Sequence, residues 1–60
     1  MLRATINHNI IAERRAISDY KQAMHKADQE GDTVASKQFK EILGEEEHHL
    51  VELLRLLRIR

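Results

Sequence analysis

The chain has 60 residues, with ten Lys and Arg against ten Asp and Glu, no Cys and no Pro. A domain of this size buries only about 60% of the surface that its unfolded chain exposes. Disulfides, a bound metal ion or a partner chain usually stabilise so small a domain. Without Cys, disulfides and thiolate metal sites are excluded, which leaves another kind of metal site or self-association. Zero net charge argues against nucleic acid as a partner, and no apolar run approaches the ~20 residues that span a bilayer. We therefore expect an all-α, cytoplasmic protein that binds neither nucleic acid nor membrane.

The first predicted element is a helix from about residue 2 to residue 30. Its apolar residues recur at heptad spacing along one stripe, and Glu13 occupies the one position of that stripe at which an apolar residue is missing. The apolar members of the stripe are Ile6, Ile10, Ile17, Tyr20, Met24 and Ala27.

A short turn follows at about residues 31–32. Gly31 suits the left-handed position that ends a helix, and Asp32 suits the N-cap that begins the next one. Because so short a connection makes the two helices antiparallel neighbours, we expect a single helical hairpin.

The second predicted helix runs from about residue 33 to residue 59. Its stripe has a gap that Glu46 and His49 fill. The apolar positions of this stripe are Ala35, Phe39, Ile42, Leu53 and Leu56. Four further leucines widen the apolar face beyond what two helices cover, which predicts that two hairpins dimerise into a four-helix bundle. These leucines are Leu43, Leu50, Leu54 and Leu57.

Three polar residues on the apolar stripes are predicted to share one level of the hairpin. Glu13 lies 18 residues before Gly31, and Glu46 and His49 lie 15 and 18 residues after it. Glu46 and His49 form an i, i+3 pair on one helical face, so both can reach one metal ion that Glu13 approaches from the neighbouring helix. Two carboxylates with an imidazole suit Fe, with Mn or Zn as substitutes.

Other interpretations of the polar residues remain open. A buried Glu or His can set the register of a metal-free hairpin dimer, which would then serve as a binding or structural module. Glu45 and His48 form a second i, i+3 pair, rotated by about 100° from the first, and would be the ligands if the helix turned differently. Arg55, Arg58 and Arg60 form a basic cluster that suits the C-terminal end of a helix dipole.

With these residues in place, the chain resembles the second half of a bacterioferritin subunit over about residues 6–54. The stretch EILGEEEHH at residues 41–49 resembles that family's Glu-Ile-Leu-x-Asp/Glu-Glu-Glu-x-His segment. The resemblance implies that Glu46 is a bridging ligand, that His49 is a terminal ligand, and that Glu13 is the ligand of the preceding helix. A single hairpin per chain is more similar to the encapsulated ferritins, whose di-iron site forms between two subunits.

This resemblance implies a ferritin-like di-iron protein that binds Fe(II) and oxidises it with O₂ or peroxide, in iron storage or detoxification. It further implies a homodimer or a higher oligomer, within a protein compartment if the encapsulated ferritins are the guide. It also suggests that Tyr20 lies near the irons, as a redox group or as a hydrogen-bond donor to a ligand. Nothing in the sequence corresponds to the helix that supplies the haem-ligating Met of bacterioferritins, so haem is not implied.

Overall fold

The protein is a hairpin of two long helices in a computed structural model that describes residues 2–59 and the side chains of residues 2–58. Helix α1 spans Leu2–Gln29 and helix α2 spans Thr33–Ile59. The helices pack along their whole length into a rod of about 45 × 14 × 11 Å. The predicted all-α hairpin is confirmed, and Arg60, the last member of the basic cluster, lies outside the described residues.

The turn has the hydrogen bonds that its sequence predicts. Gly31 has a positive φ of 74°, its N–H donates to the Asp28 carbonyl at 3.1 Å, and the Asp32 N–H donates to the Ala27 carbonyl at 2.8 Å. This pair of bonds is a Schellman motif, which satisfies carbonyls at the end of α1. Asp32 then caps α2, because its Oδ1 accepts the Ala35 N–H at 3.0 Å.

A hydrogen bond between two side chains, which the sequence pattern does not predict, links the two helices next to the turn. Ser36, in the first turn of α2, is only 5% exposed, and its Oγ donates to the carboxylate of Asp28 in the last turn of α1. A buried hydroxyl is costly unless it is hydrogen-bonded, so this bond lets a polar residue occupy an inner position. It also fixes how the two helices are rotated relative to one another at this end of the hairpin.

The predicted stripe of α1 faces α2. Ile6, Ile10, Ile17 and Ala27 are buried, each at 8% exposure or less. Glu13, Tyr20 and Met24 are half-buried positions of the same stripe. The Tyr20 ring packs against Phe39 of α2, with the ring centroids 6.1 Å apart and tilted by 42°.

The predicted stripe of α2 is mostly confirmed. Four of its five apolar positions are half-buried, namely Ala35, Phe39, Ile42 and Leu53, whereas the placement of Leu56 is wrong because that side chain is 57% exposed. Leu43, one of the leucines expected to widen this face, is the buried apolar residue of α2, and the buried Ser36 lies beside the stripe. The other half-buried positions of α2 are Glu46, Leu50, Leu54 and Leu57. A buried serine cannot be recognised from apolar periodicity.

The hairpin leaves its own core only partly covered. Among the described side chains, none is fully buried, and Ile11, Val51 and Leu56 are 68%, 45% and 57% exposed. Neither helix, over the described residues, has a stretch that is long and apolar enough to cross a membrane. Assembly into a four-helix bundle stays a prediction.

The two glycines give a matched test of the turn. An added Cβ meets no atom within 4 Å at either Gly31 or Gly44. The two substitutions therefore differ only in the backbone conformation at the glycine. Gly31→Ala should lower the free energy of unfolding by about 1 kcal/mol because φ is positive there. Gly44→Ala, inside α2, should raise it by roughly 0.5–1 kcal/mol. Urea denaturation at one protein concentration measures both, and a stabilising Gly31→Ala would contradict the turn geometry.

Candidate metal centre

Glu13, Glu46 and His49 meet at one level near the middle of the hairpin. Each offers a ligand atom, a carboxylate oxygen or an imidazole nitrogen, and these atoms lie within 4.8 Å of one another. The turn sets this alignment along the helices, because it fixes how many residues separate Glu13 from the start of α2. The structure thus brings together the three residues that the stripes predicted to share a level.

The three side chains differ in their exposure to solvent. His49 Nδ1 lies 3.8 Å from Glu13 Oε2 and 3.6 Å from Glu46 Oε1. Both glutamate side chains are 21% exposed, whereas the His49 side chain is 60% exposed. The two carboxylates therefore lie in the contact between the helices, and the imidazole lies on the solvent side of them.

Glu13 is in an unfavourable environment as an anion. Its Oε2 atom is buried and has no hydrogen-bond partner. Burial raises the pKa of Glu13, and the neighbouring Glu46 carboxyl raises this pKa further by hydrogen bonding and by its negative charge, while His49 acts in the opposite direction. Within residues 2–58, the one ion-pair partner of Glu13 and of Glu46 is His49. The pair of carboxylates therefore lacks a permanent positive charge.

The donor set fits a divalent cation. Metal–ligand bonds of about 2.0–2.2 Å place two ligand atoms of one ion no more than about 4.4 Å apart. His49 Nδ1 is within that limit of both carboxylates, at 3.8 and 3.6 Å, and all three ligand atoms lie within 4.8 Å of one another, so small side-chain rotations would bring them onto one ion. Two oxygens and one imidazole nitrogen are typical of sites for Fe, Mn and Zn. A cation would also provide the missing partner of Glu13 Oε2. The residues present therefore fit a metal ion that this one chain would hold by three ligands.

The group opens into a groove on one face of the hairpin. Glu13 and His49 line this groove, whose volume is about 370 Å³, together with Ala12, Leu53 and Leu56. Its other lining residues are Asn9 and Glu52. We call this surface the metal groove. Its apolar walls and its exposed imidazole lie on the same side, so a protein surface that covered the leucines would also cover the metal ligands.

The other candidate residues lie apart from the group. Glu45 and His48 are exposed and do not belong to it, so their i, i+3 pair points away from Glu13. Tyr20 packs on Phe39 and is not among the residues that line the metal groove. Its suggested role near the ligands stays a prediction.

Glu52 is a residue of the groove that the sequence analysis missed. It lies three residues after His49, and its Oε1 accepts a hydrogen bond from Arg55 Nη1 at 3.3 Å. The sequence does allow this position to be predicted, because a residue one turn beyond a ligand lies on the same face of a helix.

No family model, no curated protein and no solved structure matches this chain. The resemblance to bacterioferritins and encapsulated ferritins stays a prediction carried by the quoted residues.

The raised pKa of Glu13 predicts a stability difference that depends on pH. Because the pKa is higher in the folded chain, the folded state binds more protons than the unfolded state above about pH 4, and stability is lost as the pH rises through the folded pKa. Glu13→Gln removes this loss. In metal-free protein, Glu13→Gln should therefore stabilise the fold at pH 7 and lose that advantage near pH 4.

Thermal unfolding in a chelating buffer at both pH values measures this effect. Glu47→Gln, which removes an exposed carboxylate of α2, is the matched control. An equal gain from Glu13→Gln at pH 4 and pH 7 would contradict the assignment of Glu13 to an unfavourable buried position.

Proposed function

We propose that this protein is a ferritin-like di-iron protein, which binds Fe(II) at Glu13, Glu46 and His49 and oxidises it with O₂ or peroxide in iron storage or detoxification. One observation carries this proposal. A buried carboxylate oxygen of Glu13 accepts no hydrogen bond, and it lies in a group of two carboxylates and an imidazole whose ligand atoms are within 4.8 Å of one another. Fe(II) is the substrate, and Mn(II) or Zn(II) would substitute for it in binding.

The proposed site is complete only in a homodimer. One hairpin supplies three ligands, and two hairpins related by a two-fold axis would supply four carboxylates and two imidazoles, enough for two ions. The face that carries His49 also carries Leu53 and the 57% exposed Leu56, which a second hairpin would cover. The apolar face and the incomplete ligand set thus favour the same partner.

In the proposed reaction the chain's residues bind two Fe(II) ions and compensate their charge. Each ion gives up one electron, and one O₂ accepts both electrons with two protons and leaves as hydrogen peroxide. With hydrogen peroxide as the oxidant, the same two electrons and two protons yield two molecules of water. Carboxylates of Glu13 and Glu46 supply the negative charge that stabilises the more highly charged Fe(III) product. The imidazole of His49 must be neutral at its ligating nitrogen to bind.

Metal binding has a matched test, because the sequence contains two Glu-x-x-His pairs one residue apart. Glu46→Ala with His49→Ala should lower the affinity for Fe(II) and for Zn(II) by at least about a hundredfold, since two of three ligands are lost. Glu45→Ala with His48→Ala removes the same chemical groups from exposed positions and should leave the affinity unchanged. Anaerobic titration followed by calorimetry should give two Fe(II) per dimer for the wild type and for the control. Equal losses in both double variants would contradict the site.

Oxidation is tested separately from binding. The wild type should consume one O₂ for every two Fe(II) ions, with hydrogen peroxide as the product, and Glu13→Gln should abolish this activity. Tyr20→Phe keeps the packing on Phe39 and removes only the hydroxyl, so an unchanged rate would assign Tyr20 to the core and a slower rate would support its role near the ligands. Oxygen-electrode and stopped-flow measurements give both the stoichiometry and the rates.

The alternative function is that of a metal-free hairpin dimer, which would act as a binding or structural module. The exposed apolar residues favour a partner with or without metal. A dimer that binds no Fe(II) or Zn(II) at micromolar concentration would support this alternative and would contradict the di-iron proposal.

A further inference from the structure

A further carboxylate, that of Glu52, shares the metal groove with two of the proposed ligands. Glu52 lies on α2 three residues after His49, so the two side chains lie on the same face of the helix. The wall of the groove contains both of these residues together with Glu13 of α1. Among the described side chains, Glu52 is thus the carboxylate of this wall that is outside the ligand group.

In the structure the carboxylate of Glu52 is paired with Arg55 and not with the ligand group. Its Oε1 accepts a hydrogen bond from Arg55 Nη1 at 3.3 Å. The side chains of Glu52 and Arg55 are 51% and 67% exposed. An ion pair that is this exposed contributes little to stability, because water screens the two charges. A rotamer change of Glu52 that breaks the pair therefore costs little free energy.

The ligand group has room for another donor atom. Glu13, Glu46 and His49 offer one ligand atom each, whereas Zn(II) takes four ligands and Mn(II) takes six. Charge favours an anionic donor at the open position. Two carboxylates and a neutral imidazole balance a divalent ion, but Fe(III), the product of the proposed oxidation, carries one more positive charge. A third carboxylate would balance this charge.

We propose that Glu52 is a further ligand of the metal site, which leaves Arg55 and binds the ion from the mouth of the metal groove. The spacing from His49 to Glu52 equals the spacing from Glu46 to His49, which brings a carboxylate within 3.6 Å of an imidazole. Arg55 has the opposite role, because it competes with the ion for Glu52. The inference rests on the proposed function, since it adds a third carboxylate to the same site.

Calorimetric titration with Zn(II) alone tests the ligand. Glu52→Gln keeps the shape of the side chain and should lower the affinity for Zn(II) by at least about tenfold, a loss that is typical even for partners of metal ligands. Glu47→Gln is the matched control and should leave the affinity unchanged. Glu47 is another exposed carboxylate of α2, and it lines a separate groove that shares no residue with the metal groove. Equal losses in both variants would overturn the proposal, because a general loss of negative charge would then explain them.

A double-variant cycle with Arg55 separates ligation from the effect of charge. Arg55→Gln should raise the affinity for Zn(II) by roughly two- to fivefold, because Glu52 no longer has a competing partner. In the Glu52→Gln background the same substitution should have no effect, since the two residues act through one contact. An equal gain in both backgrounds would show that Arg55 acts through its own charge, and would overturn the exchange of Glu52 between Arg55 and the ion.

These titrations distinguish a failure of this inference from a failure of the proposed function. Zn(II) binding that is lost in Glu46→Ala with His49→Ala, but is unchanged in Glu52→Gln, would overturn only the role of Glu52. A wild type that binds no Zn(II) would overturn both. Glu52 and Arg55 are exposed, so the variants should fold, and circular dichroism of the metal-free proteins checks that they remain helical.

Discussion

The unsatisfied carboxylate of Glu13 is the constraint on which this structure depends. Its stripe on α1 is otherwise apolar, and its Oε2 atom is buried without a hydrogen bond while the Glu46 carboxyl lies beside it. Two carboxylates held side by side in the contact between two helices repel one another as anions, unless a cation or a proton compensates them. An apolar side chain at position 13 would serve a purely structural hairpin better. The polar group is therefore the feature of the hairpin that most needs a functional explanation.

The turn determines whether that group can form. Capping by Gly31 and Asp32, together with the bond between Ser36 and Asp28, sets both the start of α2 and its rotation against α1. An insertion of one residue here would shift Glu46 along α1 by about 1.5 Å and rotate it by about 100°. The arrangement near the middle of the rod thus depends on hydrogen bonds roughly 25 Å away.

The sequence predicts the elements and the ligand group well because both depend on short-range regularities. Heptad spacing locates the two helices, glycine and aspartate locate the turn, and counting residues from Gly31 brings Glu13 to the level of Glu46. The rotation of α2 could not be predicted in the same way, since it depends on the burial of Ser36, whose hydroxyl pairs with a residue of the other helix. Apolar periodicity likewise places Leu56 on the inner stripe and does not predict the exposure of His49, whereas the structure leaves both side chains exposed.

The most direct test of the central claim is a crystal structure of the protein soaked anaerobically with Fe(II), with anomalous diffraction recorded on both sides of the iron absorption edge. The account predicts two anomalous peaks per dimer, each in contact with carboxylate oxygens of Glu13 and Glu46 and a nitrogen of His49. Iron found only at exposed carboxylates, with the Glu13 group free of anomalous density, would contradict it.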